Sequence, residues 1–104
     1  MEELILNLLM HSGQAKTYAI EAITSAKNNN FERANKLMRR ADEELGYAHN
    51  SQSSLIQGEA ADGKIEISLL LVHAEDNLMS TMLFMDIANE IIELYEKYKH
   101  KINE

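Results

Sequence analysis

Residues 67–95 read ISLLLVHAEDNLMSTMLFMDIANEIIELY, and this stretch decides the fold. Its first six residues alone would also fit a short buried strand. Beyond them, however, apolar residues recur at intervals of three and four, which is the period of an α-helix. These positions are Leu78, Met82, Met85, Ala88, Ile92 and Tyr95. We therefore predict one long helix from about Lys64 to Lys101.

A second apolar stripe runs along the same predicted helix, beside the first. Its members are Leu69, Val72, Asp76, Met79, Leu83, Ile87, Ile91 and Leu94, with one acidic residue among them. A helix that is apolar on two faces needs cover on both. Two further helices of the same chain can cover only part of this surface, so we expect the chain to self-associate through this helix.

Two more helices are predicted upstream. The first runs from about Glu3 to Lys27 and ends at three asparagines, of which Asn30 can cap a second helix that begins at Phe31. The glycine-flanked stretch 58–63 is the second predicted break. Three long helices joined by short connections predict an all-α fold, an antiparallel up-down-up three-helix bundle. With 104 residues, we expect a single domain over 1–104.

Composition excludes several classes of function. The formal net charge of −7 argues against binding to nucleic-acid phosphates, which requires clustered lysine and arginine. Cysteine is absent, which excludes disulfides and thiolate chemistry. No apolar run is long enough to cross a bilayer, and the acidic start is unlike a signal peptide. We expect a cytoplasmic protein with no nucleic-acid partner and no direct insertion into a membrane.

Asp76 is out of place on the second stripe. A lone carboxylate in an apolar interface is costly unless it is paired, protonated or bound to a metal. One interpretation is a hydrogen bond or salt bridge to a neighbour. The other is a symmetric oligomer in which copies of Asp76 converge. A hard divalent cation with oxygen ligands, such as magnesium, would then relieve their mutual repulsion.

His73 lies one turn before Asp76, within an apolar run. A lone histidine in such a run is often a structural residue, and the sequence leaves that interpretation open. The functional interpretation is nucleophilic, because a neutral imidazole can attack phosphorus without a separate general base. His73 is therefore the candidate catalytic residue. His11 is interpreted as a surface residue.

Three stretches of the sequence resemble one protein family. Ser68-Leu-Leu-Leu-Val-His-Ala-Glu-Asp-Asn-Leu-Met79 resembles the active-site segment of the lactose/cellobiose-type enzyme IIA of the bacterial sugar phosphotransferase system. That segment typically reads Val-His-Ala-Gln-Asp-His-Leu-Met. Ser12-Gly-Gln-Ala-Lys16 and Ala48-His-Asn-Ser-Gln-Ser-Ser-Leu-Ile56 also match. The Val-His-Ala context is more similar to the cellobiose and diacetylchitobiose branch than to the lactose branch.

The resemblance implies a phosphocarrier. His73 would accept a phosphoryl group from the phosphohistidine of HPr and pass it to a cysteine of a IIB protein, for uptake of a β-linked disaccharide such as cellobiose. The sugar itself would be handled by the membrane component IIC. The resemblance also implies a homotrimer in which Asp76 of each chain meets a divalent metal ion, magnesium, on the threefold axis. This agrees with the separate interpretation of Asp76 as a charge on a self-associating stripe.

Two residues depart from the family pattern. Glu75 stands where glutamine is usual, and Asn77 where histidine is usual. Asn77 is one turn from His73 and could donate a hydrogen bond to a phosphoryl group, but it cannot supply positive charge. Glu75 points away from His73 and could approach a site on a neighbouring subunit, where its charge would disfavour a phosphoryl dianion. The alternative function is a helical adaptor or regulatory bundle that has lost transfer activity.

Overall fold

The structure is a computed structural model that describes residues 2–62 and 67–103, except for the side chains of 59–62 and 100–103. It consists of helix α1 (Glu2–Lys27), helix α2 (Phe31–Asp62) and helix α3 (Leu69–Asn103). No strand occurs in the described residues, and residues 69–72 are helical. The prediction of an all-α chain with three long helices is confirmed, and the strand alternative for this stretch is wrong.

The asparagine turn between α1 and α2 forms as predicted. Asn29 adopts a φ of 63°, in the left-handed region that asparagine tolerates better than most residues. The side-chain oxygen of Asn30 accepts a hydrogen bond from the backbone N–H of Arg33 at 3.2 Å. This N-cap satisfies one of the unpaired donors in the first turn of α2 and sets its start at Phe31.

The second break differs from its prediction. Helix α2 continues through Gly58 to Asp62, so the expectation that it ends at Gly58 is wrong. A glycine inside a helix costs only about 1 kcal/mol relative to alanine. Leu55, one turn earlier, is buried in the core. Packing of that turn outweighs the glycine cost. The predicted helix start at Lys64 lies outside the described residues.

Helix α3 begins later than predicted because Ser68 caps it. The Ser68 hydroxyl accepts a hydrogen bond from the N–H of Leu71 at 3.1 Å. The Ser68 carbonyl accepts one from the N–H of Val72, also at 3.1 Å. Serine is among the preferred N-cap residues because its oxygen replaces the missing helical acceptor. The cap fixes the register in which the next turns of α3 present their side chains.

The core lies in two clusters along the bundle. The first joins the early part of α1 to the later part of α2 and the start of α3, through Ile5, Leu8, Ala48, Leu55, Ala74 and Leu78. The second joins later parts of α1 and α3 to the first part of α2. Its members are Ala15, Ala19, Ala22, Ala26, Ala34, Leu37, Met38, Ala41, Met85, Ala88 and Ile92. The alanines of α1 let both neighbouring helices approach its backbone closely.

Helix α1 is the central element of the chain. It packs along both α2 and α3, whereas α2 and α3 touch each other over a short length only. The Thr81 hydroxyl of α3 donates a hydrogen bond to the Ser12 carbonyl of α1 at 3.4 Å, in a fully buried position. Because α3 packs mainly on α1 and touches α2 only briefly, most of the α3 surface that faces away from α1 is not covered by the chain's other helices.

The uncovered surface of α3 is the second apolar stripe. Met79 is 67% exposed, Leu83 62% and Leu94 68%. Leu69, Val72, Asp76 and Ile87 are exposed as well, and Ile91 is half-buried. The expectation that the chain's own helices leave this face open is confirmed. Soluble monomers seldom expose large continuous apolar patches.

Within residues 2–62 and 67–103, none of the three helices combines the length and the apolar character that a bilayer crossing requires.

Replacing Ser68 tests the cap of α3. Ser68→Ala should lower the free energy of unfolding by about 1 kcal/mol, because it removes the oxygen that accepts the Leu71 N–H. Chemical denaturation followed by circular dichroism, at one fixed protein concentration, measures the change.

Ser54→Ala is the matched control for that measurement. Ser54 is exposed inside α2, where alanine is the better helix former. The control should leave stability unchanged or raise it slightly. Equal losses in both variants would contradict the capping role of Ser68.

Candidate active site around His73

His73 lies near the start of α3, shortly after the Ser68 cap. Its neighbour Ala74 is fully buried, as is Leu78 one turn later, and these two residues fix which face of α3 turns inward. His73 is about 100° around the helix from Ala74, and its side chain is exposed. The ring is not packed in the core of its own chain, so a second molecule can reach it.

Asp76 is exposed on the outer stripe, one turn after His73. Val72 and Met79, its neighbours on the stripe, are also exposed. Neither of the two ion pairs found in the described part of the chain involves Asp76. Within one chain the carboxylate is hydrated, and it meets an apolar environment only when this face is covered.

One chain offers Asp76 as a single metal ligand. Among the described side chains, no three histidine, cysteine, aspartate or glutamate residues come together in a way that could hold a metal ion. A divalent cation of the magnesium type takes several oxygen ligands. Among the described side chains, Asp76 alone does not make up a metal site, and the remaining oxygen ligands would have to come from other molecules.

Glu75 faces α2 of its own chain. Its carboxylate Oε2 accepts a hydrogen bond from Nε2 of Gln52 at 2.8 Å, and both side chains are half-buried. A half-buried polar side chain such as that of Gln52 needs a hydrogen-bond partner, and the structure identifies Glu75 as that partner. The contact turns the Glu75 carboxylate toward Gln52 of its own chain. The approach of Glu75 to a neighbouring subunit stays a prediction.

Asn77 and His49 complete the polar surroundings of this end of α3. Asn77 is half-buried and lies one turn after His73, about 40° away around the helix axis. His49 is half-buried on α2, one turn before Gln52. The predicted placement of Asn77 beside His73 follows from helix geometry alone.

His11 takes part in a contact between α1 and α2 that the sequence interpretation missed. Its Nδ1 lies 2.5 Å from Oε2 of Glu44 on α2, and the two side chains are 23% and 22% exposed. The Tyr47 ring lies 5.2 Å from the imidazole, centroid to centroid, at an angle of 47°. The interpretation of His11 as a simple surface residue is therefore wrong. A partner 33 positions away leaves no local signal in the sequence.

Two concave parts of the described surface lie away from His73. Both occupy the later half of α3, one lined by Ile87, Glu90, Ile91, Glu93, Leu94 and Lys97 and the other by Leu94, Tyr95 and Tyr98. Ile87 is 14 residues beyond His73, which corresponds to about 20 Å along a helix. The exposed imidazole of His73 suits reaction with a group carried on another macromolecule.

Comparison with known proteins decides the family. The sequence profile described as "PTS system, Lactose/Cellobiose specific IIA subunit" matches residues 3–96. The chain belongs to this family. The matched range includes all of α2, nearly all of α1 and most of α3, with both His73 and Asp76. The resemblance predicted from three short stretches is therefore confirmed for the family.

Other members of the IIA family resemble the chain over nearly its full length. The lichenan-specific phosphotransferase enzyme IIA component of Bacillus subtilis (strain 168) is 48% identical over 97 residues, which cover 93% of this chain and 88% of that protein. The crystal structure of the PTS cellobiose-specific enzyme IIA from Bacillus anthracis has a TM-score of 0.92 at 40% identity, covering 96% of this chain and 92% of that one.

A further solved relative was determined together with a partner. The solution structures of the IIA(Chitobiose)–HPr complex, from the N,N'-diacetylchitobiose branch of the Escherichia coli phosphotransferase system, contain a chain with a TM-score of 0.83. Identity is 42%, covering 94% of this IIA chain and 95% of that one.

A double-mutant cycle tests the contact between His11 and Glu44. The free energies of unfolding of the wild type, His11→Ala, Glu44→Ala and the double variant should give a coupling of about 1 kcal/mol, because the hydrogen bond is partly shielded from water. Chemical denaturation at fixed protein concentration provides the four values.

The exposed pair Glu93–Lys97 is the matched control. Its two charged atoms lie 3.7 Å apart on the surface of α3. An exposed pair four residues apart on a helix contributes about 0.3–0.5 kcal/mol. A coupling between His11 and Glu44 no larger than this would show that their contact adds nothing beyond a surface ion pair.

Proposed function

We propose that this IIA-family chain carries a phosphoryl group on His73 and transfers it between two other proteins. The observation that carries the proposal is the exposed imidazole of His73 at the start of α3, inside the range that matches the family. An exposed ring on a rigid, capped helix can meet a phosphoryl group held on the surface of a partner. The same ring can then be reached by a second partner.

The proposed reaction consists of two displacements at phosphorus. A ring nitrogen of His73 attacks the phosphoryl group of the donor phosphohistidine, an N–P bond forms, and the donor N–P bond breaks with its electron pair on the departing nitrogen. A cysteine thiolate of the acceptor then attacks the same phosphorus. An S–P bond forms, and the imidazole of His73 is released. Neither step needs a separate general base.

The start of α3 favours the phosphorylated form. Side chains of a helix tilt toward its N-terminus, so a phosphoryl group on His73 would lie over the first turn of α3. The unpaired N–H groups there carry partial positive charge, which stabilises an anion. Asn77, one turn later, can add a hydrogen bond from its amide. These features offset the absence of a cationic side chain at position 77.

We propose HPr as the donor and a IIB protein as the acceptor. The Escherichia coli relative of the diacetylchitobiose branch forms a complex with HPr, and this chain has the same fold at 42% identity. The relatives named above are specific for lichenan, cellobiose and N,N'-diacetylchitobiose. We therefore propose that this chain serves uptake of a β-linked sugar such as cellobiose.

We further propose that the chain works as a homotrimer of antiparallel, up-down-up bundles. The two core clusters support alternating helix directions. One cluster joins the early part of α1 to the later part of α2, and the other joins the later part of α1 to the first part of α2. The open apolar stripe of α3 supports assembly through this helix. A divalent cation such as magnesium on the threefold axis would neutralise the three Asp76 carboxylates, and it takes no part in the transfer itself.

The second candidate function is an adaptor or regulatory bundle without transfer activity. The observation in its favour is the local polarity near His73, where Asn77 supplies no charge and Glu75 adds a negative one. Such a protein would assemble in the same way. It would take up no phosphate from phospho-HPr.

Phosphate uptake distinguishes the two functions. Incubation with enzyme I, HPr and phosphoenolpyruvate should add one phosphate per chain, in an adduct that is labile in acid and stable in alkali. His73→Ala should abolish the label. His11→Ala is the matched control and should label like the wild type, because its ring lies in a separate cluster with Glu44. Label that persists in His73→Ala would refute the assignment of the site.

Asp76→Leu tests the proposed role of the metal ion. If the cation serves mainly to neutralise converging carboxylates, this apolar replacement should keep the trimer and abolish metal binding, because buried charges can be replaced by apolar groups without loss of stability. Sedimentation equilibrium and metal analysis measure the two properties. A monomeric variant at micromolar concentration would mean that the carboxylate–metal contact is needed for assembly.

A further inference from the structure

The hydrogen bond between Gln52 and Glu75 joins two helices that otherwise touch little. Helices α2 and α3 contact each other over a short length, since both pack mainly on α1. At the His73 end of α3, Nε2 of Gln52 donates to Oε2 of Glu75 at 2.8 Å, between half-buried side chains. The bond therefore fixes the position of one negative charge that lies only two residues from His73.

We propose that Gln52 is a positioning residue for phosphoryl transfer. It holds the carboxylate of Glu75 on the α2 side of α3, away from the phosphoryl group on His73. The inference rests on the proposed function of His73. It assigns to Gln52 a role that acts through Glu75 and involves no contact with the phosphoryl group.

Helix geometry explains why the position of this carboxylate matters. Residues two apart differ by about 200° around the axis, so a Glu75 side chain held toward α2 points away from His73. A glutamate has several rotatable side-chain bonds, and without its partner the carboxylate can turn toward the outer surface of α3. There it approaches Asp76, which is already charged and exposed.

Movement of the Glu75 carboxylate toward His73 would raise the free energy of the phosphorylated form. Phosphorylation adds nearly two negative charges at neutral pH. The chain already carries a net charge of −7 and has no cationic residue between 65 and 96. A carboxylate that moves several ångströms closer to a phosphoryl dianion disfavours phosphorylation, whereas the unphosphorylated imidazole is little affected. The donor–acceptor equilibrium with HPr is therefore the property that Gln52 controls.

The test compares the transfer equilibria with phospho-HPr of four variants and the wild type. Gln52→Leu removes the donor and should lower the equilibrium constant for phosphorylation about fivefold, the size expected for one partly screened charge near a dianion. Glu75→Gln should match or exceed the wild type. The double variant Q52L/E75Q should regain the wild-type value, because no charge remains to be displaced. Gln57→Leu is the matched control. Gln57 is exposed on α2, five residues after Gln52, so its replacement should have no effect.

The rescue separates positioning from structural support. Q52L and Q52L/E75Q both lack the hydrogen bond between the helices, so both lose stability in chemical denaturation. If Gln52 only supported the bundle, the double variant would transfer as poorly as Q52L. That result, or transfer by Q52L equal to the wild type, would overturn the inference.

An exchange of the two residues provides a second test that keeps the bond. In Q52E/E75Q the glutamine on α3 can donate to a glutamate on α2, so the fold is retained and the charge lies on α2. This variant should transfer at least as well as the wild type. A loss as large as that of Q52L would overturn the inference. A wild type that takes up no phosphate at all would refute the proposed function, which is a separate outcome.

Discussion

The two apolar faces of α3 constrain the rest of the structure. One face, with Leu78, Met85 and Ile92, is buried against the other helices of the chain. The opposite face, with Met79, Leu83 and Leu94, is open to water. Because α2 and α3 both pack mainly on α1, the described residues contain no further helix that could cover the second face. Burial of apolar area is the main favourable term in association, so this face is the driving force for assembly in our account.

The position of His73 follows from the same helix. The Ser68 cap sets the register of α3, Ala74 turns inward, and His73 is left exposed beside the apolar stripe. A phosphocarrier must be reached by a donor and then by an acceptor, and an exposed residue on a rigid element meets both demands. In the proposed function, the outer stripe and the nucleophile share one helix. Assembly through the stripe would place His73 beside the seam and leave its ring open to partner proteins.

The sequence predicted those features that depend on local pattern. Helical period identified α3 and its two faces, and asparagine chemistry located the turn at Asn29 and Asn30.

Prediction failed where contacts between residues far apart in the sequence determine the structure. Helix α2 passes Gly58 because tertiary contacts of the preceding turn outweigh a small local cost. The partners His11–Glu44 and Gln52–Glu75 lie on different helices, and a single sequence does not state how two helices are aligned. Helix geometry placed His73 beside Asp76, whereas only the structure located Glu75.

Cross-linking through the outer stripe tests the central claim most directly. The chain has no cysteine, so any disulfide that forms must involve the single cysteine that is introduced. Under mild oxidation Leu83→Cys should form disulfide-linked dimers rapidly, because copies of α3 face each other there. Ser54→Cys, exposed on α2, should remain a single chain. Equal or absent cross-linking in both variants would contradict the account, because the apolar stripe would then not be the seam between copies.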